Sequence, residues 1–322
     1  MKEELVYIVI LHYNNFRCTD FCLESLRHVK DVAFKVVLVD NASKDGSFDA
    51  ILEKYAEVHA IRNRDNLGFA RGTNVGLRYA LEKGGDYFLL LNNDVEVTPG
   101  FLKPMILALQ ENPDIGIVTS KVLYRQQHDL IWHAGGYIRE SSMTGIARGY
   151  DEKDVGQYDT PDFTRWASGA CCLCTRRLLE KNGLLNEQYF FGQEEWDFSS
   201  DAIRSNFLIR YEPASVVYHE IGQSSNKSPS LYAYQLTYNK FTYARKFLSL
   251  MAFWAFTTKY VVYLVAAFPK KDLHTADNSS DFYLATAKRA ALWGVRDFFK
   301  GVTITANHLA NIDQELMRWW KK

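Results

Sequence analysis

An α/β fold, with a mostly parallel central sheet flanked by helices and a helical C-terminal extension, is what this 322-residue sequence predicts. Three observations carry that expectation. Apolar runs of strand length alternate with stretches of helical period through the first half of the chain. Those runs are continuous rather than alternating, as in strands covered on both faces. After Ser230 the composition shifts to long apolar and amphipathic stretches.

Each element follows in order. Residues 6–11, VYIVIL, form the first strand. A helix capped by Thr19 or Asp20 runs to about Val29. The second strand, FKVVLVD, ends in Asp40; Asp45-Gly46 marks a turn, and a helix continues to about Tyr55. Residues 58–63 make the third strand, 69–83 a helix, and 86–91 the fourth strand. Ligands of parallel sheets bind beyond the carboxyl ends of the strands. His12-Tyr13-Asn14-Asn15, Asp40-Asn41 and Asn92-Asn93-Asp94 all fall at that edge. Gly68, Gly72 and Gly76 do not form a dinucleotide fingerprint and follow the third strand. They serve either close helix–sheet packing or a ligand, with Asn66 and Asn74 among them.

Bulk composition narrows the function. Lys+Arg and Asp+Glu are both 38, so nothing global points to nucleic acid. Five cysteines, an odd count with adjacent pairs, read as buried thiols in a reducing compartment, not as a disulfide framework or a zinc site. The first residues lack the pattern of a secretory signal, which leads to the expectation of a cytoplasmic protein.

YIVILHYNN, VVLVDNASKDGS, NRDNLGFARGTNVG, FLLLNNDVEVTPG, WASGACCLCTRR, FFGQEEWD and VVYHEIGQSS occur in this order over roughly residues 5 to 225. Together they resemble glycosyltransferase family 2, most closely the rhamnosyltransferase-like branch of bacterial surface polysaccharide synthesis. The resemblance implies a nucleotide-sugar-binding GT-A-type fold. It also implies inverting transfer of one sugar, from a donor such as dTDP-rhamnose or a UDP-sugar, to a saccharide or lipid-linked saccharide acceptor. It implies a divalent cation as well, Mn²⁺ or Mg²⁺, which stabilises the leaving diphosphate. The family's D-x-D triplet is matched by Asn92-Asn93-Asp94. Asp94 is then the metal ligand, joined by His219, and Asn92 bonds ribose or phosphate. His12, Tyr13, Asp40, Asn66, Arg71 and Asn93 fall on the donor side. Arg71 is either a phosphate partner or a solvated helix residue. Trp166, Ser168, Gly169 and Glu194 fall on the acceptor side. Glu195 takes the role of base, with exchange of roles between Glu194 and Glu195 left open. Anionic groups at a helix start are favoured by its dipole. Asp201 stands where relatives commonly carry an Arg.

The resulting division is a catalytic domain over 1–230, with a donor half of about 1–97 and an acceptor half of about 98–230, and a helical extension over 231–322. Residues 248–268 are apolar, but Lys259 lies at the centre, so a buried or interfacial helix fits better than a membrane span. Over 284–301, Lys288, Arg289, Arg296 and Lys300 share one arc beside Leu284, Val295, Phe298 and Phe299. That pattern, with the terminal MRWWKK, suits an anionic membrane surface. Packing on the catalytic domain or a homodimer contact is the alternative. A processive synthase is excluded, because QELMRW does not match its Q-x-x-R-W motif. A catalytically inactive binding or scaffold subunit is the rival from another class, motivated by Asn92.

Overall fold

The computed structural model describes residues 4–220, 229–266 and 279–320. The chain forms two compact units. One comprises Met1–Ile138, Gly145–Glu187 and Glu194–Ser224; the other comprises Arg139–Thr144, Gln188–Gln193 and Ser225–Lys322.

The first unit opens with strict strand–helix alternation. β1 (Val6–His12), α1 (Phe16–Leu26), β2 (Phe34–Asp40), α2 (Ser47–Lys54), β3 (His59–Arg62), α3 (Phe69–Glu82) and β4 (Tyr87–Asn92) follow one another. β1 pairs in parallel with both β2 and β4, and β2 with β3. Every expected strand of this half is present. The first helix starts earlier than expected. Asn15, not Thr19 or Asp20, is its cap: its side chain accepts from the Cys18 N–H at 3.2 Å while its backbone takes a left-handed φ of 61°. Asparagine tolerates that conformation because its short side chain bonds locally.

The second half of this unit is mixed. It runs through β5 (Val95–Val97), α4 (Leu102–Glu111), β6 (Ile115–Tyr124), β7 (Ile131–His133), β8 (Gly136–Arg139), β9 (Thr144–Ala147), β10 (Asp162–Thr164), β11 (Cys171–Thr175), α5 (Arg176–Asn182), α6 (Glu194–Arg204) and β12 (Leu208–His219). The sheet order is β10-β12-β6-β11-β4-β1-β2-β3, with β5 on β12 and β7 on β6. β11 lies antiparallel between β4 and β6, whereas β12 runs parallel to β6. The β12–β6 register breaks between Glu212 and Val216. Pro213 sits in that break, where a residue without an N–H costs the ladder nothing.

Two of the three α3 glycines answer a steric need. A Cβ on Gly76 would lie 2.5 Å from Val9 Cγ1, and one on Gly72 would lie 2.6 Å from Leu11 Cδ1. Close approach of α3 to β1 is therefore their function, one of the two alternatives open from sequence. All five cysteines are free and buried, as expected.

The second unit holds α7 (Pro229–Phe247), α8 (Leu250–Ala266), α9 (Ser279–Phe299) and α10 (Ala306–Trp320). Phe241 of α7 sits among the rings of Phe253, Phe256, Tyr260 and Phe298. Beneath them Tyr234 donates to Asp297 Oδ2 at 2.9 Å, and Arg296 Nε donates to Asp297 Oδ1 at 2.6 Å. The expected basic arc of α9 is divided: Arg296 and Lys300 are exposed, and Arg289 is half-buried. Lys288 and Val295 are buried, and Arg296 is held by Asp297. The side chains of Leu284, Trp319 and Trp320, and the whole of Pro269, Lys270 and Lys271, lie outside the described residues. Among the described residues, no helix is long and apolar enough to cross a membrane.

Candidate active site

The carboxyl edge of β4 is built by backbone register. The Asn92 N–H donates to the Ala170 carbonyl at 3.1 Å, which sets Gly169 beside the Asn92-Asn93-Asp94 turn. On its other side Gly169 faces Glu195: a Cβ built there would lie 3.6 Å from Glu195 Cβ. Glu194 and Glu195 open α6, with Glu194 buried and Glu195 half-buried. Asp94 and Glu195 thus flank one stretch of backbone.

β12 returns to the same edge. His219 pairs with Val95, and the Glu220 N–H donates to the Asp94 carbonyl at 2.9 Å. These main-chain bonds bring His219 Nε2 to 3.1 Å from Asp94 Oδ1. Both residues are buried, and among the described residues His219 Nδ1 has no partner. Trp132 stands edge-on to the His219 ring at 4.9 Å. Arg125 fastens this end of β12: its N–H donates to the His219 carbonyl at 3.0 Å, and its guanidinium grips Glu220 at 2.5 Å and Glu96 at 3.0 Å.

The Asn93 side of the turn is tied into a directed chain of hydrogen bonds. Ser47 Oγ donates to Asp45 Oδ1 at 2.5 Å, since a carboxylate can only accept. Ser47 Oγ must therefore accept from His12 Nε2, 2.8 Å away. His12 is fully buried, and burial lowers its pKa, so the ring is neutral with the proton on Nε2. Nδ1 then accepts from the Thr19 hydroxyl at 2.7 Å, and Thr19 Oγ1 accepts from Asn93 Nδ2 at 2.9 Å. His12, expected against the donor, has both ring nitrogens occupied and works inside the rim.

On the β2 side, Asp40 is buried; its Oδ1 accepts from the Ser43 N–H at 3.1 Å, and Arg62 Nε lies 3.8 Å from its Oδ2. Tyr13 is exposed. Asn66 turns inward: its Oδ1 accepts from Asn41 Nδ2 at 2.9 Å and from the Gly68 N–H at 2.9 Å. Arg71 is partly exposed and donates to the Glu187 carbonyl at 3.2 Å. Asn74 likewise bonds Leu185 and Glu187, so it holds a loop.

Two acceptor-side expectations meet a different environment. Trp166 is buried among rings, edge-on to His133 at 4.9 Å and to Trp196 at 6.0 Å, so little of its face is open to a sugar. Ser168 is fully buried; its N–H donates to Thr119 and its Oγ accepts from the Ala170 N–H at 3.2 Å. It shapes the turn. Gly169 and Glu195 do share the edge with Asn92. Thr19, Ser47, Arg125, Glu220 and Trp132 belong to this region but were not singled out from sequence, and Asn41 was placed at the strand edge without a role. Each acts through partners distant in the chain, and Thr19 stood there only as a candidate cap.

A hard divalent cation needs anionic or carbonyl oxygen, and Mn²⁺ also accepts imidazole. The edge supplies the Asp94 carboxylate, the His219 ring and the buried Asn92 Oδ1, which has no hydrogen-bond partner among the described residues. Among the described residues, no three His, Cys, Asp or Glu groups cluster as a self-sufficient metal site. The set therefore fits an ion completed by diphosphate oxygens.

The pattern of the "Glycosyl transferase family 2" matches residues 7–182. An N-acetylglucosaminyl-diphospho-decaprenol L-rhamnosyltransferase from Mycobacterium tuberculosis is 25% identical over 69% of this chain and 77% of its own. A dTDP-rhamnosyl transferase, RfbF, from Shigella flexneri is 22% identical over 69% of this chain and 71% of its own. Among solved structures, a mannosyltransferase from Pyrobaculum calidifontis in complex with GDP-Man and Mn²⁺ has a TM-score of 0.55 at 17% identity, covering 91% of this chain and 86% of its own. GalNAc-T7 with UDP, GalNAc and Mn²⁺ has a TM-score of 0.62 at 15% identity, covering 94% of this chain and 57% of its own. These likenesses bear on the fold, which is the GT-A type. The chain belongs to glycosyltransferase family 2 and is a glycosyltransferase with rhamnosyltransferases among its relatives.

Proposed function

We propose that the chain transfers one sugar, with inversion, from a nucleotide-sugar to a saccharide hydroxyl in polysaccharide assembly. The observation that carries the reading is the shared edge: the Asn92–Ala170 bond and the Gly169–Glu195 contact set the turn of Asp94 beside the start of α6. The diphosphate of the donor lies against Asn92 and Asp94, with its nucleoside toward Asp40 and Tyr13. Asp94 and His219 would hold Mn²⁺ or Mg²⁺, which when bound supplies positive charge to the diphosphate oxygens. Glu195 accepts the proton of the acceptor hydroxyl. That oxygen bonds to the anomeric carbon as the carbon–phosphate-oxygen bond breaks, and the nucleoside diphosphate departs with the electron pair. Glu195 is the better base of the pair because Glu194 is buried.

The relatives make dTDP-rhamnose the first donor to test and a diphospho-polyprenol saccharide the first acceptor. Glu195→Gln is expected to lower transfer by about a hundredfold or more, the usual contribution of a general base, while calorimetry shows nucleotide binding intact. Unchanged turnover removes Glu195 as the base, and the same loss in Glu194→Gln alone exchanges the two roles. Nucleotide binding without turnover of any donor and acceptor would instead assign the chain as a binding subunit, the reading that Asn92 motivates.

A further inference from the structure

Helices that are apolar on every side are normally buried on every side. α8 is not. Its residues Phe253, Phe256, Thr257 and Leu264 form one buried arc within the second unit. The opposite arc, more than half of the circumference at a hundred degrees per residue, carries Leu250, Met251, Trp254, Val262, Tyr263 and Val265. These are 61%, 84%, 52%, 59%, 62% and 57% exposed, respectively. Lys259 is the one charged residue of the helix.

The surroundings of this face are cationic. Residues 229–266 contain Lys240, Arg245, Lys246 and Lys259 and no acidic residue. Arg245, Lys246, Lys259 and Lys300 are exposed. Arg245 lies over the Phe253 ring at 5.8 Å. With Leu250, Phe253, Trp254, Phe298 and Phe299 it lines a groove of about 300 Å³, whose wall is a Trp254–Phe299 stack with centroids 5.9 Å apart.

We propose that the outer face of α8 lies in the headgroup region of an anionic lipid bilayer, parallel to its plane. An apolar helical face with Trp and Tyr, edged by Lys and Arg, is the chemistry of an interfacial helix. Anionic headgroups meet Arg245, Lys246, Lys259 and Lys300, and the apolar arc enters the acyl boundary. A second copy of the chain suits the face less well. A two-fold contact sets each patch against itself, and here it brings cation to cation with no acid on residues 229–266 to meet it. The inference is independent of the catalytic reading, because its test uses no substrate.

The test uses the full chain with vesicles of phosphatidylcholine alone and of phosphatidylcholine mixed with phosphatidylglycerol. Co-sedimentation is expected with the mixed vesicles only, weakening as salt rises. The double variant Met251→Asp, Val262→Asp alters exposed positions and is expected to retain its helical circular-dichroism signal and lose binding at least about tenfold. Lys259→Glu with Lys300→Glu tests the charges separately, with roughly fivefold loss per cation removed. The charge variant also keeps the test open should the apolar one fail to fold. No binding by the parent chain overturns the proposal, as does parent-like binding by both variants. A parent dimer in light scattering that Met251→Asp, Val262→Asp turns into a monomer, without vesicle binding, gives the face to a second copy instead.

Discussion

Asp94 and His219 touch through one hydrogen bond at the end of β12, so each presents the other to whatever occupies the edge. Asp94→Ala removes the carboxylate and leaves a buried imidazole with neither nitrogen engaged. Cation-dependent binding of a nucleoside diphosphate is expected to fall by about one to two orders of magnitude, as ligand deletions of this kind do. Calorimetry with and without Mn²⁺ reads this directly, and an unchanged Mn²⁺ dependence moves the ligand elsewhere. Thr19 is a second lever. Its hydroxyl joins His12 to Asn93, and both partners depend on it. Thr19→Val strands an acceptor and a donor in a buried place, at a cost of about 1–3 kcal/mol. Thr19→Ser keeps the hydroxyl and is expected to recover most of that loss in urea unfolding. The importance of Thr19 was not legible in the sequence, since its partners lie at positions 12 and 93. Asn41 could be placed at the strand edge but not given its role, for the same reason: it bonds Asn63, Asn66, Leu67 and Gly68 across a turn. The positions of Asp94, Glu195 and His219 were legible because each lies at an element boundary beside a recognisable motif: the turn after β4, the first turn of α6 and the end of β12.

Among elements, α3 shows how tightly the sheet is covered. Gly76→Ala would place a methyl carbon 2.5 Å from Val9 Cγ1 and 3.0 Å from Val39 Cγ2. Overpacking of that kind costs about 1–3 kcal/mol, and a lowered urea midpoint is the measurement. Gly100→Ala is the control: nothing lies within 4 Å of its Cβ, and a change within about 0.5 kcal/mol is expected. The strands β1 to β4 could be read from sequence because burial on both faces makes them continuous apolar runs. The second half was harder. β5, β7 and β10 have 3 residues each, too few for a period, and β12 carries Pro213 in its middle. α9 shows its expected arc only in part, with Arg296 and Lys300 exposed. Lys288 and Val295 are instead buried, and a Cβ on Gly294 would lie 2.6 Å from the Tyr234 carbonyl, so α9 packs face-on against α7.

For the whole chain, two buried histidines set a response to acid. Burial pushes the His133 pKa down to about 3 and also lowers that of His12. Each stays neutral in the fold but takes up a proton in the unfolded chain near its ordinary value of about 6.5. Their stabilising contribution is therefore whole above that pH. It falls as pH drops from there through the folded-state value, by about 1.4 kcal/mol per pH unit for each group. Urea midpoints measured between about pH 7 and pH 4 are expected to decline. His133→Asn, which keeps an acceptor for the Gly135 N–H, is expected to flatten that slope. An equal slope would mean that His133 takes up its proton without unfolding. Composition gave no hint of this, because the net charge of zero says nothing about which histidines are enclosed.

The chain of bonds from Asp45 settles one more matter at its far end. Because Asn93 gives its nitrogen to Thr19, the orientation of its amide is decided by a carboxylate four links away. The amide oxygen is left as the atom outside the network. An oxygen held in that way can accept a hydrogen bond and cannot give one.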